Sequence, residues 1–189
     1  MPAPLHSSSD DVFRRYSYDI RVGRICRDLG MVKPLACQSM YIFKQRGIGG
    51  EVVPHQDGTF LYTRPQSVIG FWWALEDCTT ANGCLWGVPG SHKTTKVERH
   101  FVRMGDNTEG TMFKGEGDGK YSLDGGVPLQ VPAGTLVLLH SAFVHWSEEN
   151  RSDKSRHAYS IHVVEGGKGC EYPEENWLQT ATSFNTVPC

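Results

Sequence analysis

The chain has 189 residues, 39% of them hydrophobic, and a formal net charge of −2. That length suits one domain with a sizeable core. The near-neutral balance argues against nucleic acid or an acidic membrane surface as partner, and no apolar run approaches the length of a membrane span. The start, Met1-Pro2-Ala3-Pro4, has no charged-then-apolar leader, and the end, Thr186-Val187-Pro188-Cys189, is neither a peroxisomal address nor a prenylation box. The six cysteines form no CxxC and no zinc spacing, which reads as free thiols in a reducing compartment and a cytoplasmic location.

In chain order, residues 1–8 read as a flexible tail ahead of a single domain over 9–189. Ser8 or Ser9 followed by Asp10 and Asp11 marks a helix start. Phe13, Tyr16, Ile20, Ile25 and Leu29 recur at near-helical spacing, and Gly30 can close the end. A break near Ser17 would give two short helices instead of one. From Pro34 the texture turns aromatic and branched, with strands predicted over 37–45, 68–76, 84–88, 127–131, 135–140 and 157–165. Turns are expected at Gly47-Ile48-Gly49-Gly50, Ala81-Asn82-Gly83 and Pro89-Gly90-Ser91-His92. The segment 94–126 is polar and glycine-rich without a clear period, and is expected to be a long loop. One or two N-terminal helices followed by many short strands point to a mainly β fold, a double-stranded β-helix (jelly roll) of the cupin-like kind.

The chemistry concentrates in His55-Gln56-Asp57, His145 and Arg156. Two residues with one between them on an extended strand face the same way, so His55 and Asp57 can offer a nitrogen and an oxygen to one ion. His145 can complete a 2-His-1-carboxylate set, which leaves positions open on a non-heme Fe(II). Arg156 suits the distal carboxylate of an oxo-acid, because its planar fork binds carboxylates in a bidentate way. An iron- and 2-oxoglutarate-dependent oxygenase is the resulting hypothesis. His140 is the competitor for His145, and continuous strand alternation would turn it to the opposite face. His162 shares the parity of Arg156, as a hydrogen-bonded core histidine or a substrate contact. His92 belongs to its turn, and His6, His100 and His157 read as exposed.

Several stretches resemble the phytanoyl-CoA dioxygenase family. They are Gln38-Ser39-Met40-Tyr41-Ile42-Phe43-Lys44-Gln45, Pro54-His55-Gln56-Asp57, Phe60-Leu61-Tyr62-Thr63, Asn82-Gly83-Cys84-Leu85-Trp86, Pro89-Gly90-Ser91-His92 and Glu175-Asn176-Trp177-Leu178-Gln179. The similarity runs over about residues 12–180. It implies that His55, Asp57 and His145 are iron ligands, that Arg156 holds the far carboxylate of 2-oxoglutarate, and that Ser147 hydrogen-bonds the same group. It also places Met40 and Trp72 on the co-substrate pocket, Trp72 in preference to Trp73 because the Gly70-Phe71-Trp72 frame matches. The chemistry implied is hydroxylation of a small organic substrate by O2, with 2-oxoglutarate converted to succinate and carbon dioxide and ascorbate as an auxiliary reductant. An intact Asp57 favours hydroxylation, since related halogenases lack the carboxylate. Compared with that family, the chain has nothing matching an N-terminal helical segment, a first core strand and a basic residue at the co-substrate. A metal- or 2-oxoglutarate-binding module without turnover, or a cupin-type non-oxygenase, are the alternative readings.

Overall fold

The computed structural model describes residues 11–105, 110–167, 169–180 and 183–189. The tail expected over 1–8, with His6, lies outside them. The N-terminal period resolves into two helices, α1 (Asp11–Ser17) and α2 (Ile20–Asp28). The break is capped: the carboxylate of Asp19 accepts from the backbone N–H of Arg21 at 2.9 Å, which satisfies one of the free donors at the start of α2. Past α2 the chain turns at Gly30, whose φ of +92° suits glycine.

Eleven strands follow among the described residues. They are β1 (Pro34–Lys44), β2 (Val52–His55), β3 (Ile69–Ala74), β4 (Leu85–Gly87), β5 (Arg99–Arg103), β6 (Thr111–Gly115), β7 (Val127–Leu129), β8 (Leu136–His140), β9 (His145–Ser147), β10 (Arg156–Glu165) and β11 (Asn185–Thr186). One sheet runs β11-β1-β10-β3-β8 and a second β2-β9-β4-β7, and β5 and β6 form a separate hairpin. All the strand pairs are antiparallel. Two four-stranded sheets facing each other, with β11 added at one edge, make the jelly roll. β11 covers the outer edge of β1 only at Leu35 and Ala36.

Parity along the strands decides what faces where. On β10, Tyr159, Ile161 and Val163 join Phe71 and the helix residues Val22 and Cys26 in a core on the outer face of the large sheet. Ala158 instead joins Trp72, Ala74, Cys84, Leu85 and Leu139 between the two sheets. The same alternation turns Trp72 inward and Trp73 outward on β3. β1 carries a register shift between Ala36 and Gln38, so Ala36 packs under the helices while Gln38, Met40 and Ile42 line the interior.

The segment 94–126 departs from the expectation of an unstructured loop. Arg99, Phe101 and Arg103 pair with Gly115, Phe113 and Thr111, and β6 is exposed along its whole length. No burial alternation marks such a hairpin in sequence. It is held by ring contacts, Phe101 to Phe113 at 5.0 Å and the Arg99 guanidinium 4.0 Å above the Phe113 ring. All six cysteines are free, and no helix among the described residues is long and apolar enough to cross a membrane.

Candidate active site

His55 ends β2 and His145 begins β9, and the two are directly opposed in the ladder. Their ring centroids lie 4.2 Å apart. Each ring is fixed by the carbonyl two residues before it. Nδ1 of His55 donates to the carbonyl of Val53 at 2.8 Å, and Nδ1 of His145 to that of Phe143 at 3.0 Å. A carbonyl can only accept, so each Nδ1 carries a proton and each Nε2 is the ring nitrogen left for a ligand role.

Asp57 is not on a strand, contrary to the expectation of an extended His-x-Asp. β2 stops at His55, Gln56 is still extended (φ −121°, ψ 133°), and Asp57 opens the helical turn Asp57–Phe60. One extended residue is enough to keep His55 and Asp57 on one side. The side chain of Gln56, 1% exposed, donates to the carbonyls of Thr95 at 3.0 Å and Ala142 at 2.7 Å. Those bonds tie this corner to the loop before β9 through Ala142 and to the segment before β5 through Thr95. Oδ1 of Asp57 then lies 3.7 Å from Nε2 of His55 and 3.7 Å from Nε2 of His145. The three candidate ligand atoms fall within 4.8 Å of one another.

Charge and burial suit a cation at that point. Burial pushes the His55 imidazole down to about 4, with the neighbouring His145 adding to the effect, so it is neutral at physiological pH. Burial alone would raise the Asp57 carboxyl, but the imidazoles of His162 and His145 outweigh it and hold it well below the usual carboxylate range. Two imidazole nitrogens and a carboxylate oxygen therefore converge on one point. That donor set fits a divalent metal with mixed nitrogen and oxygen preference, Fe(II) included.

Arg156 begins β10 and is 1% exposed. Its Nε donates to the carbonyl of Gly83 at 3.0 Å and its Nη2 lies 3.5 Å from Oγ of Ser147. Nη1 is buried and has no hydrogen-bond partner among the described residues. The guanidinium also sits over the Trp72 ring, 5.4 Å from its centroid. No salt bridge to it is found among the described residues. Met40, His55, Asp57, Trp72, His145, Ser147 and Arg156 all line one cavity of about 350 Å³. A larger cavity under α1 and α2 contains none of them.

His140 stays outside the cluster, since Leu139 of β8 packs between the sheets and alternation turns His140 to the other face. It ends β8 in the large sheet, its Nδ1 accepts from the N–H of Ala142 at 3.1 Å, and its ring faces His92 at 5.3 Å. His100, expected to be exposed, is half-buried and stacked on Tyr62 at 3.8 Å. Ser160, Gln38 and Trp177 also line the cavity and were not singled out from sequence. For Ser160 the signal was there, since it shares the parity of Arg156 and His162.

A family model described as phytanoyl-CoA dioxygenase (PhyH) matches residues 5–158. The chain belongs to the phytanoyl-CoA dioxygenase family. Within that family it is 49% identical over 172 residues to the Arabidopsis thaliana protein named phytanoyl-CoA dioxygenase, an alignment covering 91% of this chain and 59% of that one. It is 48% identical over 186 residues to mouse phytanoyl-CoA dioxygenase domain-containing protein 1, covering 97% of this chain and 62% of that one. The chain thus spans about three fifths of the length of these relatives. Among solved structures, the epimerase SnoN in complex with Fe3+, alpha ketoglutarate and nogalamycin RO superposes with a TM-score of 0.69 at 19% identity, covering 98% of this chain and 77% of that one. At that identity the likeness is one of fold, and it places the phytanoyl-CoA dioxygenase family chain among jelly-roll proteins.

Proposed function

We propose that this chain is an Fe(II)- and 2-oxoglutarate-dependent dioxygenase that hydroxylates a small organic molecule, with His55, Asp57 and His145 holding the metal. The observation that carries the reading is the meeting of two Nε2 atoms and Oδ1 of Asp57 in the same cavity as a buried guanidinium that lacks an acid. Family membership and the solved structure with iron and alpha ketoglutarate support it.

Bound iron and 2-oxoglutarate supply the hard chemistry, oxidative decarboxylation to succinate and carbon dioxide coupled to insertion of oxygen from O2 into a C–H bond. The chain supplies position. Arg156 offers Nη1 and Nη2 to the distal carboxylate of 2-oxoglutarate, and Ser147 adds a hydroxyl to the same group. Trp72 lies against the guanidinium, and Met40, across Ser160 on the same sheet, adds an adaptable apolar surface. The low affinity of His55 for protons keeps its Nε2 available at neutral pH.

Anaerobic loading with Fe(II), 2-oxoglutarate and ascorbate, followed by oxygen, tests the proposal. Succinate forms with the unchanged chain and not with Asp57→Ala. Equal succinate from both, or none above that control, counts against it.

A further inference from the structure

The two oxygens of Asp57 have different surroundings. Oδ1 faces both candidate imidazole ligands. Oδ2 points away from them, toward Nε2 of His162 at 3.3 Å. His162 lies on β10 in the facing sheet, 5% exposed and opposite Gly70 of β3 in the register. Gly70 closes the remaining side, for a Cβ there would sit 2.9 Å from Oδ2 and 3.2 Å from Cβ of Leu139. Oδ2 is sealed from solvent, and no aligned hydrogen bond reaches it from the described residues. Leaving a buried carboxylate oxygen without a donor is costly, and the imidazole of His162 is the nitrogen placed to meet it.

We infer that His162 is a positioning residue of the metal centre, whose Nε2–H engages Oδ2 and restricts Asp57 to one coordinating oxygen. This rests on the metal reading above. The tautomer follows from the surroundings. With the proton on Nδ1, the ring would set a lone pair against the carboxylate and strand a buried N–H, since Nδ1 has no partner. The consequence is chemical. A carboxylate with both oxygens free can chelate an ion through both, taking a position that a co-substrate and O2 require. His162 occupies the second oxygen from behind, and Gly70 gives the carboxylate room to lie between the sheet and the ion. Partners of this kind, behind a ligand, typically change metal affinity when removed.

Two measurements test this. The first uses the chain without added metal: 15N NMR of the imidazoles shows His162 as the Nε2–H tautomer, while His55 and His145 are Nδ1–H. An Nδ1–H tautomer at His162 overturns the inference. The second is a titration with Co(II), a spectroscopic stand-in for Fe(II). His162→Leu binds Co(II) about 10–100-fold more weakly, and His162→Gln, whose amide keeps a donor, retains most of the affinity. A folded Leu variant that binds as tightly as the unchanged chain overturns the role. If the Leu variant does not fold, His162→Gln and Gly70→Ala decide. Affinity kept by His162→Gln and lost by Gly70→Ala, which intrudes on Oδ2, supports the role, and any other pattern overturns it. An unchanged chain that binds no Co(II) removes the metal reading and the positioning role together, while the tautomer still reports separately whether the contact exists.

Discussion

Arg156→Met separates what the guanidinium does for the fold from what it does for a ligand. The side chain is 1% exposed, and its firm internal hydrogen bond is the one from Nε to Gly83 at 3.0 Å; the approach to Ser147 is at 3.5 Å. Hydrogen bonds of a charged group contribute about 1.5–3 kcal/mol, whereas a buried charge without a counter-ion costs several kcal/mol. Methionine fills similar space without the charge, so the variant alone is expected to unfold at the same temperature or higher. The ligand tells the opposite story. Removing one partner of a buried, hydrogen-bonded charge pair costs about 2–5 kcal/mol, which is about 30-fold to several thousand-fold in 2-oxoglutarate affinity. The assay is thermal unfolding of Co(II)-loaded protein with and without 2-oxoglutarate. At a concentration 100 times its Kd a ligand stabilises by about 2.7 kcal/mol. For a chain of this size that raises the Tm by about 5–11 °C. The unchanged chain shows that rise, while Arg156→Met keeps at most about 0.9 kcal/mol of it, a rise of no more than about 3 °C at the same concentration. A variant with the full rise refutes the carboxylate role, and one strongly destabilised without ligand shows that the guanidinium serves the fold first.

Lys44 is 2% exposed, and its Nζ donates to the carbonyls of Gly50 and Glu148. Burial first, and then the Arg156 charge, push its pKa from the usual 10.5 down to about 8. Between those values the unfolded chain keeps the proton that the folded chain has lost, so this residue makes stability rise with pH across the window, by up to about 3 kcal/mol. Urea denaturation at pH 7.5 and 10 shows that rise, and Lys44→Met lacks it. Gly83→Ala meets two obstacles, a φ of +77° and a Cβ position 2.6 Å from the carbonyl oxygen of Glu148, so a loss of about 1–3 kcal/mol is expected in the same assay. Because the Gly83 carbonyl supports Arg156, weaker 2-oxoglutarate binding accompanies it. Gln56→Leu leaves two part-buried carbonyls without their donor and costs about 1–3 kcal/mol, with Co(II) affinity falling as the corner between His55 and Asp57 loosens.

The seven residues picked from sequence line one cavity because two kinds of local regularity carry that far. One extended residue between His55 and Asp57 keeps them on one side, and alternation along β3 and β10 turns Trp72 and Arg156 inward. The long strands β1 and β10 were legible for the same reason, as unbroken branched and aromatic runs. Legibility fails where structure depends on pairing over distance. β2 and β9 have four and three residues, too short for a period, yet their pairing is what sets His55 against His145. The β5–β6 hairpin buries little and gives no alternation. The contact between His162 and Asp57 crosses from one sheet to the other, so parity could place the ring in the interior but not name its neighbour.

The most direct test of the metal and co-substrate site is a crystal structure grown without oxygen in Fe(II) and 2-oxoglutarate. The account predicts an iron anomalous peak bound by Nε2 of His55, Nε2 of His145 and a single oxygen of Asp57, with the far carboxylate of 2-oxoglutarate on Arg156. Iron held elsewhere, or 2-oxoglutarate turned away from Arg156, contradicts it.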